Sequence, residues 1–121
     1  ILHGDDGLDE ITITSETTIA ELKDHKITEY KISPKQFGIS LASFEKIYAN
    51  SPQQSLMMVQ EAFEGEKSAV QDMIAMNSGA ALYISRIVES INDGVELAFE
   101  LMNNGMASNK LAEYVRASNN I

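Results

Sequence analysis

The stretch Thr17-Thr18-Ile19-Ala20-Glu21-Leu22-Lys23-Asp24-His25-Lys26-Ile27-Thr28-Glu29-Tyr30-Lys31-Ile32 decides what kind of fold this chain adopts. It holds two runs dense in β-branched residues, Thr17 to Leu22 and Ile27 to Ile32, and such residues fit the pleated surface of a sheet. Lys23-Asp24-His25-Lys26 separates them, a polar stretch of hairpin length, so the two runs are predicted to pair antiparallel. His25 then falls in the turn, exposed to solvent. Ahead of the hairpin, Ile11 and Ile13 alternate with Thr12 and Thr14, which predicts a further short strand and places the strands within about residues 11–32.

Downstream of the hairpin, Ser33-Pro34 is read as capping a short helical turn that Gly38 ends, and the segment around Phe44 and Tyr48 as a loop or single turn. From Ser51 the pattern becomes helical. Ser51 as N-cap, Pro52 at the first helical position and Gln54 three residues after the serine form a capping-box start; Leu56, Val59 and Phe63 line one face and Gly65 ends the helix. A second start is Ser68 with Gln71, followed by a stripe of Val70, Met73, Ile74, Ala80, Ala81 and Ile84. A third is Ser90 with Asp93, its buried side Ile91, Val95, Ala98 and Met102, stopping at Gly105. Ala107, Leu111 and Val115 recur every four residues in a last helix, about Ala107 to Arg116. Helices thus occupy about residues 51–118. Gly79 with Ala80 and Ala81 predicts close approach of another element, and Asn77, on the apolar stripe between Ile74 and Ala81, is expected to hydrogen-bond a neighbouring backbone segment and fix how the helix docks. The fold class that follows is α/β: a few short strands with a hairpin, then about four helices.

Upstream lies His3-Gly4-Asp5-Asp6-Gly7-Leu8-Asp9-Glu10. Four carboxylates in six positions repel one another, and two glycines let the backbone turn between them. The arrangement is costly unless a cation or a phosphate-bound metal compensates. Ile1 and Leu2 before it read as the tail of a buried strand. Asp9 and Glu10 are adjacent and would point to opposite faces of a regular strand, but at a loop-to-strand junction both can converge on one cation. Magnesium suits two carboxylates, since it keeps several waters and takes its remaining ligands from substrate phosphate. The competing interpretation is a solvated acidic turn. His3 has two roles open to it, substrate contact or a structural hydrogen bond. A nucleophilic triad is not supported, because the chain has no cysteine and no serine in a nucleophile-elbow pattern.

Composition narrows the functional classes. The 121 residues suffice for one small domain, and 18 acids against 9 bases give a net charge of −9, which repels nucleic-acid backbones and anionic membranes. The lack of cysteine removes disulfide and thiolate-metal sites and fits a reducing compartment, the cytoplasm. No apolar run approaches a membrane span. The chain opens on Ile1 rather than Met and is expected to be a piece of a longer polypeptide, whose removal would bare sheet edges and apolar helix sides and favour self-association.

The string His3 to Ile11 followed by threonine-rich strands resembles the segment of anthranilate phosphoribosyltransferases in which a Gly-hydrophobic-Asp-Glu sequence supplies metal ligands. Gly65-Glu66-Lys67, Asp72, Asn77 and Gly94-Val95-Glu96-Leu97-Ala98 are similar to that family's C-terminal helices. The resemblance covers essentially the whole chain. It implies the C-terminal part of the α/β domain of a nucleoside phosphorylase/phosphoribosyltransferase-like fold, with residues 1–121 as about the last third of an enzyme of tryptophan biosynthesis. It further implies a magnesium-dependent transferase that moves the phosphoribosyl group of phosphoribosyl pyrophosphate to the amino group of anthranilate, with Asp9 and Glu10 as the Mg2+ ligands. The family's glycine-rich phosphate loop, its anthranilate contacts and its dimer-forming N-terminal helices lie upstream of these residues, so no turnover is expected from this chain alone, and the parent is expected to be a homodimer. A pyrimidine nucleoside phosphorylase relative and a non-catalytic interaction domain are the alternatives.

Overall fold

The computed structural model describes residues 1–120. Contacts divide the chain into two units, Ile1–Ile47 and Tyr48–Ile121.

The first unit is built on a three-stranded antiparallel sheet in the order β1 (Leu2–Gly4), β2 (Thr17–Lys23), β3 (Lys26–Ile32). The predicted hairpin is present, in register from Thr17 opposite Ile32 to Lys23 opposite Lys26. Its turn is tighter than the sequence suggested. Only Asp24 and His25 connect the strands, both at positive φ (51° and 62°), the left-handed geometry of a type I′ turn whose twist matches the sheet. β1 pairs with the other edge of β2, Leu2 opposite Ile19 and Gly4 opposite Thr17. Leu2 therefore does open a strand, but Ile1 is fully exposed rather than part of a buried one.

Residues 11–14 do not form the expected strand. Ile11, Thr12 and Ile13 are completely buried, so the apolar signal was real. Side-chain oxygens take the backbone donors that a ladder would need: Thr17 Oγ1 accepts from the Thr12 N–H at 3.1 Å, and Thr12 Oγ1 accepts from the Thr14 N–H at 3.0 Å. The Ile13 carbonyl accepts from the Ala42 N–H at 3.0 Å. A 3-10 turn at Pro34–Phe37 ends at Gly38, as the sequence indicates, and a second turn spans Phe44–Lys46.

The second unit holds α1 (Pro52–Phe63), α2 (Ala69–Ile84), α3 (Ile91–Asn103) and α4 (Met106–Ser118). Ser51, Ser68 and Ser90 are the N-caps of the first three, each Oγ accepting the N–H of the third residue on, at 3.1 Å. The capping boxes are not closed as expected. Gln54 Oε1 accepts from the Asn50 N–H, one residue before the cap, at 2.8 Å. Gln71 turns inward instead: its Nε2 donates to the Ala62 carbonyl (3.1 Å) and to Asn103 Oδ1 (3.2 Å), joining α1, α2 and the end of α3.

The buried face of α2 is Gln71, Ala75, Met76 and Gly79, not the predicted stripe, whose Ile84 is 71% exposed. Close packing against α3 fixes that face. Gly79 meets Gly94 and Val95 backbone to backbone, the close approach the small residues foretold. On α3, Val95, Ala98 and Met102 are buried as expected; Ile91 is half-buried and Gly94 takes its place. Leu56 on α1 and Val115 on α4 are exposed. Asn77 Nδ2 donates to the Met73 carbonyl of its own helix at 3.0 Å. An apolar groove of about 700 Å³, lined by Phe63, Ile74, Leu82, Met102, Leu111 and Tyr114 among others, runs between the helices.

Candidate metal centre

The acidic loop follows β1 directly. Gly4 closes it at the base: its N–H donates to the Leu8 carbonyl at 2.8 Å, and its own carbonyl accepts from the Gly7 N–H at 2.9 Å. Gly7 sits at φ 98°, a conformation glycine adopts freely. Gly4 is buried for a different reason. A Cβ there would lie 2.5 Å from Asp6 Oδ1 and 2.9 Å from Thr12 Cγ2, so only glycine leaves room for the Asp6 carboxylate to reach Thr12.

The four carboxylates separate into two kinds, a division the sequence did not reveal. Asp5 is tied to the sheet: Lys31 Nζ on β3 donates to Oδ2 at 2.5 Å and Thr18 Oγ1 on β2 donates to Oδ1 at 2.8 Å. The Lys31 ammonium, then the Thr18 hydroxyl, hold the Asp5 carboxyl below its ordinary range, and Asp5 in turn raises Lys31. Asp6 is tied to its own loop. Oδ2 accepts from Thr12 Oγ1 at 2.6 Å and also from Thr14 Oγ1, while Oδ1 accepts from the Leu8 N–H at 3.2 Å. Partial desolvation pushes the Asp6 carboxyl up, but the two hydroxyls and the amide outweigh it and the net shift is downward. Both groups are therefore held as carboxylates by protein donors.

Asp9 and Glu10 are different. Both are exposed, and among the described residues neither enters a hydrogen bond or ion pair. They stand where the backbone leaves the loop and turns toward buried Ile11. Among the described residues no group of three or more His, Asp or Glu side chains converges into a closed cage. What the loop offers is two adjacent hard oxygen donors open to solvent, a set that suits a magnesium ion whose other ligands come from water and phosphate. His3 is exposed and its Nδ1 lies 2.9 Å from the Gly4 carbonyl, so the ring nitrogen donates there. His25 occupies the hairpin turn, exposed as expected.

An open acidic loop on a small antiparallel sheet, with four helices following in sequence, makes this an α/β protein. The description "glycosyl transferase family, a/b domain" fits residues 1–108, and the chain belongs to that family. It is 41% identical over 118 residues to the anthranilate phosphoribosyltransferase of Vesicomyosocius okutanii, covering 98% of this chain and 35% of that protein. It is 37% identical over 119 residues to that of Acetivibrio thermocellus, covering 98% and 34%. This chain thus spans about a third of the length of the curated relatives it matches. The crystal structure of anthranilate phosphoribosyltransferase from Thermus thermophilus superposes with a TM-score of 0.85 at 28% identity, covering 95% of this chain and 34% of that one. The Saccharomyces cerevisiae enzyme in complex with PRPP and Mg shares the fold, with a TM-score of 0.85 at 20% identity over 100% and 35% of the two chains. No helix among the described residues is long and apolar enough to cross a membrane.

Proposed function

We propose that residues 1–121 are the C-terminal portion of the α/β domain of an anthranilate phosphoribosyltransferase, the enzyme of tryptophan biosynthesis that transfers the phosphoribosyl group of phosphoribosyl pyrophosphate to the amino group of anthranilate. The observation that carries this reading is that Asp9 and Glu10 are exposed and, among the described residues, not hydrogen-bonded in a loop whose other two acids are already engaged by protein donors. Relatives of the same name near 40% identity support it.

Asp9 and Glu10 would hold the magnesium. When bound, the ion offsets charge on the diphosphate as the ribosyl C1–O bond breaks, so the transfer proceeds without a protein nucleophile. The chain's own part is positional. Asp5 and Lys31 fasten the loop to β3, and Asp6 closes it on itself, leaving the two exposed carboxylates free to meet a phosphate-bound cation. A homodimer formed through the parent's N-terminal region and a cytoplasmic location go with this reading; the net charge of −9 keeps nucleic acid out of it.

The test is a graft. This chain replaces the matching third of the Vesicomyosocius okutanii enzyme, and product is followed with phosphoribosyl pyrophosphate, anthranilate and magnesium. Magnesium-dependent formation of phosphoribosyl anthranilate is expected. A folded, inert graft, or one that instead cleaves a pyrimidine nucleoside with phosphate, contradicts the reading.

A further inference from the structure

We propose that Asp6 is a positioning residue that sets the course of the Asp9–Glu10 segment, an assignment that rests on the reading of those two residues as the cation-facing pair. One carboxylate grips both ends of the segment. Its Oδ1 takes the N–H of Leu8, the residue immediately before Asp9, and its Oδ2 takes the hydroxyl of Thr12, two residues after Glu10, with the hydroxyl of Thr14 on the same oxygen. The Gly4 N–H holds the Leu8 carbonyl from the other side, and the missing side chain of Gly4 is what lets the carboxylate lie against Thr12. Thr12 is itself completely buried and anchored through its N–H to Thr17 Oγ1 at the start of β2. The chain of contacts therefore runs from a fixed strand, through Thr12, to Asp6 and on to Leu8. Asp9, Glu10 and Ile11 span the gap between two clamped points.

Asp5 shows by contrast what this arrangement is for. It is also an aspartate and adjacent in sequence, yet its partners are Thr18 and Lys31 on the sheet, and it touches neither end of the segment. Removing Asp5 leaves the Asp6 bonds in place; removing Asp6 takes away the link between the two ends, leaving Leu8 held only through its carbonyl and Thr12 through its amide. An asparagine at position 6 keeps one oxygen to accept the Leu8 N–H and turns its amide N–H to the Thr12 and Thr14 hydroxyls, which can accept it, so both ends stay linked without the charge and geometry and charge can be told apart.

The experiment uses the 121-residue chain labelled with 15N, in Asp6→Ala, Asp6→Asn, Asp5→Ala and Thr14→Val forms. Without metal, backbone order parameters for Asp9 and Glu10 should be about 0.85 in the wild type, fall below about 0.6 in Asp6→Ala, and stay near the wild-type value in Asp6→Asn and Asp5→Ala. Thr14→Val, which removes one donor only, should loosen the segment partway and covers the case in which Asp6→Ala does not fold; unchanged helix resonances report folding. With Mn2+ as the probe, broadening of Asp9 and Glu10 should need roughly 10- to 100-fold more metal in Asp6→Ala, and Asp6→Asn should restore most of the affinity. An Asp6→Ala segment as ordered as the wild type, or an Asp6→Asn form as loose as Asp6→Ala, overturns the assignment. A loosened Asp6→Ala segment with no manganese broadening even in the wild type upholds Asp6 as the clamp and removes the metal reading instead.

Discussion

Gly79 on α2 and Gly94 on α3 cross with no side chain between them: a Cβ built on Gly94 would sit 2.3 Å from the Gly79 carbonyl oxygen, and one on Gly79 would sit 2.6 Å from the Val95 nitrogen. Both helices therefore approach at backbone distance. Replacing either glycine by alanine should gain about 1 kcal/mol of helix propensity. It should lose more than that by forcing the helices apart, since overpacking costs about 1–3 kcal/mol and backbone atoms cannot rotate out of the way. Net destabilisation is expected for Gly79→Ala and Gly94→Ala, measured as a lower urea midpoint. A raised midpoint in either would show that the crossing has slack.

Gln71 is 2% exposed and donates through one amide nitrogen to α1 and to Asn103. Gln71→Leu keeps the bulk but removes the donor to Asn103 and one of two donors to the Ala62 carbonyl, which keeps the Gly65 N–H, so a cost of about 0.5–1.5 kcal/mol is expected. Thermal unfolding of the variant checks this, and an unchanged midpoint would mean that the Gly65 N–H alone satisfies the carbonyl.

The acidic loop should respond to pH in a definite direction. Asp5 and Asp6 are both lowered from the ordinary aspartate value of 3.8. Each is therefore more readily ionised folded than unfolded, and its contribution to stability is fully present above pH 3.8 and lost as pH falls through the lower folded values. Thr12, Thr14 and Lys31 resonances should hold steady from neutral pH down to about 4 and move only below it. Movement of the Thr12 and Thr14 signals between pH 5 and 7 would contradict the Asp6 clamp.

The hairpin turn holds Asp24 and His25 at positive φ, where a side chain is strained. Substituting Asn-Gly for these two residues should stabilise the pairing of β2 and β3 by up to about 1–2 kcal/mol, read from slower amide exchange across Lys23 and Lys26. Faster exchange would show that the strain is relieved elsewhere.

These relationships also explain which parts of the protein could be read in advance. Serine caps at 51, 68 and 90 act over three residues and need no tertiary partner, so they were legible. The hairpin was legible for the same reason. The face of α2 was not: hydropathy favoured Ile74 and Ile84, but the backbone crossing at Gly79 selects Gln71, Ala75 and Met76. Nor was the fate of residues 11–14, where alternation mimics a strand while threonine hydroxyls take up the amides. In the loop, composition showed four acids but not that Lys31, twenty-six residues on, and Thr12 and Thr14 would occupy two of them. The Gly-Leu-Asp-Glu order was what pointed to Asp9 and Glu10.

The central claim is that Asp9 and Glu10 hold a phosphate-bound magnesium ion, and the most direct measurement is the magnesium dependence of kcat/KM for the graft carrying Asp9→Asn with Glu10→Gln. A loss on the order of 10²-fold or more, with a raised magnesium requirement, is expected from removing several kcal/mol of charge stabilisation. Full activity at the same magnesium concentration would contradict the account.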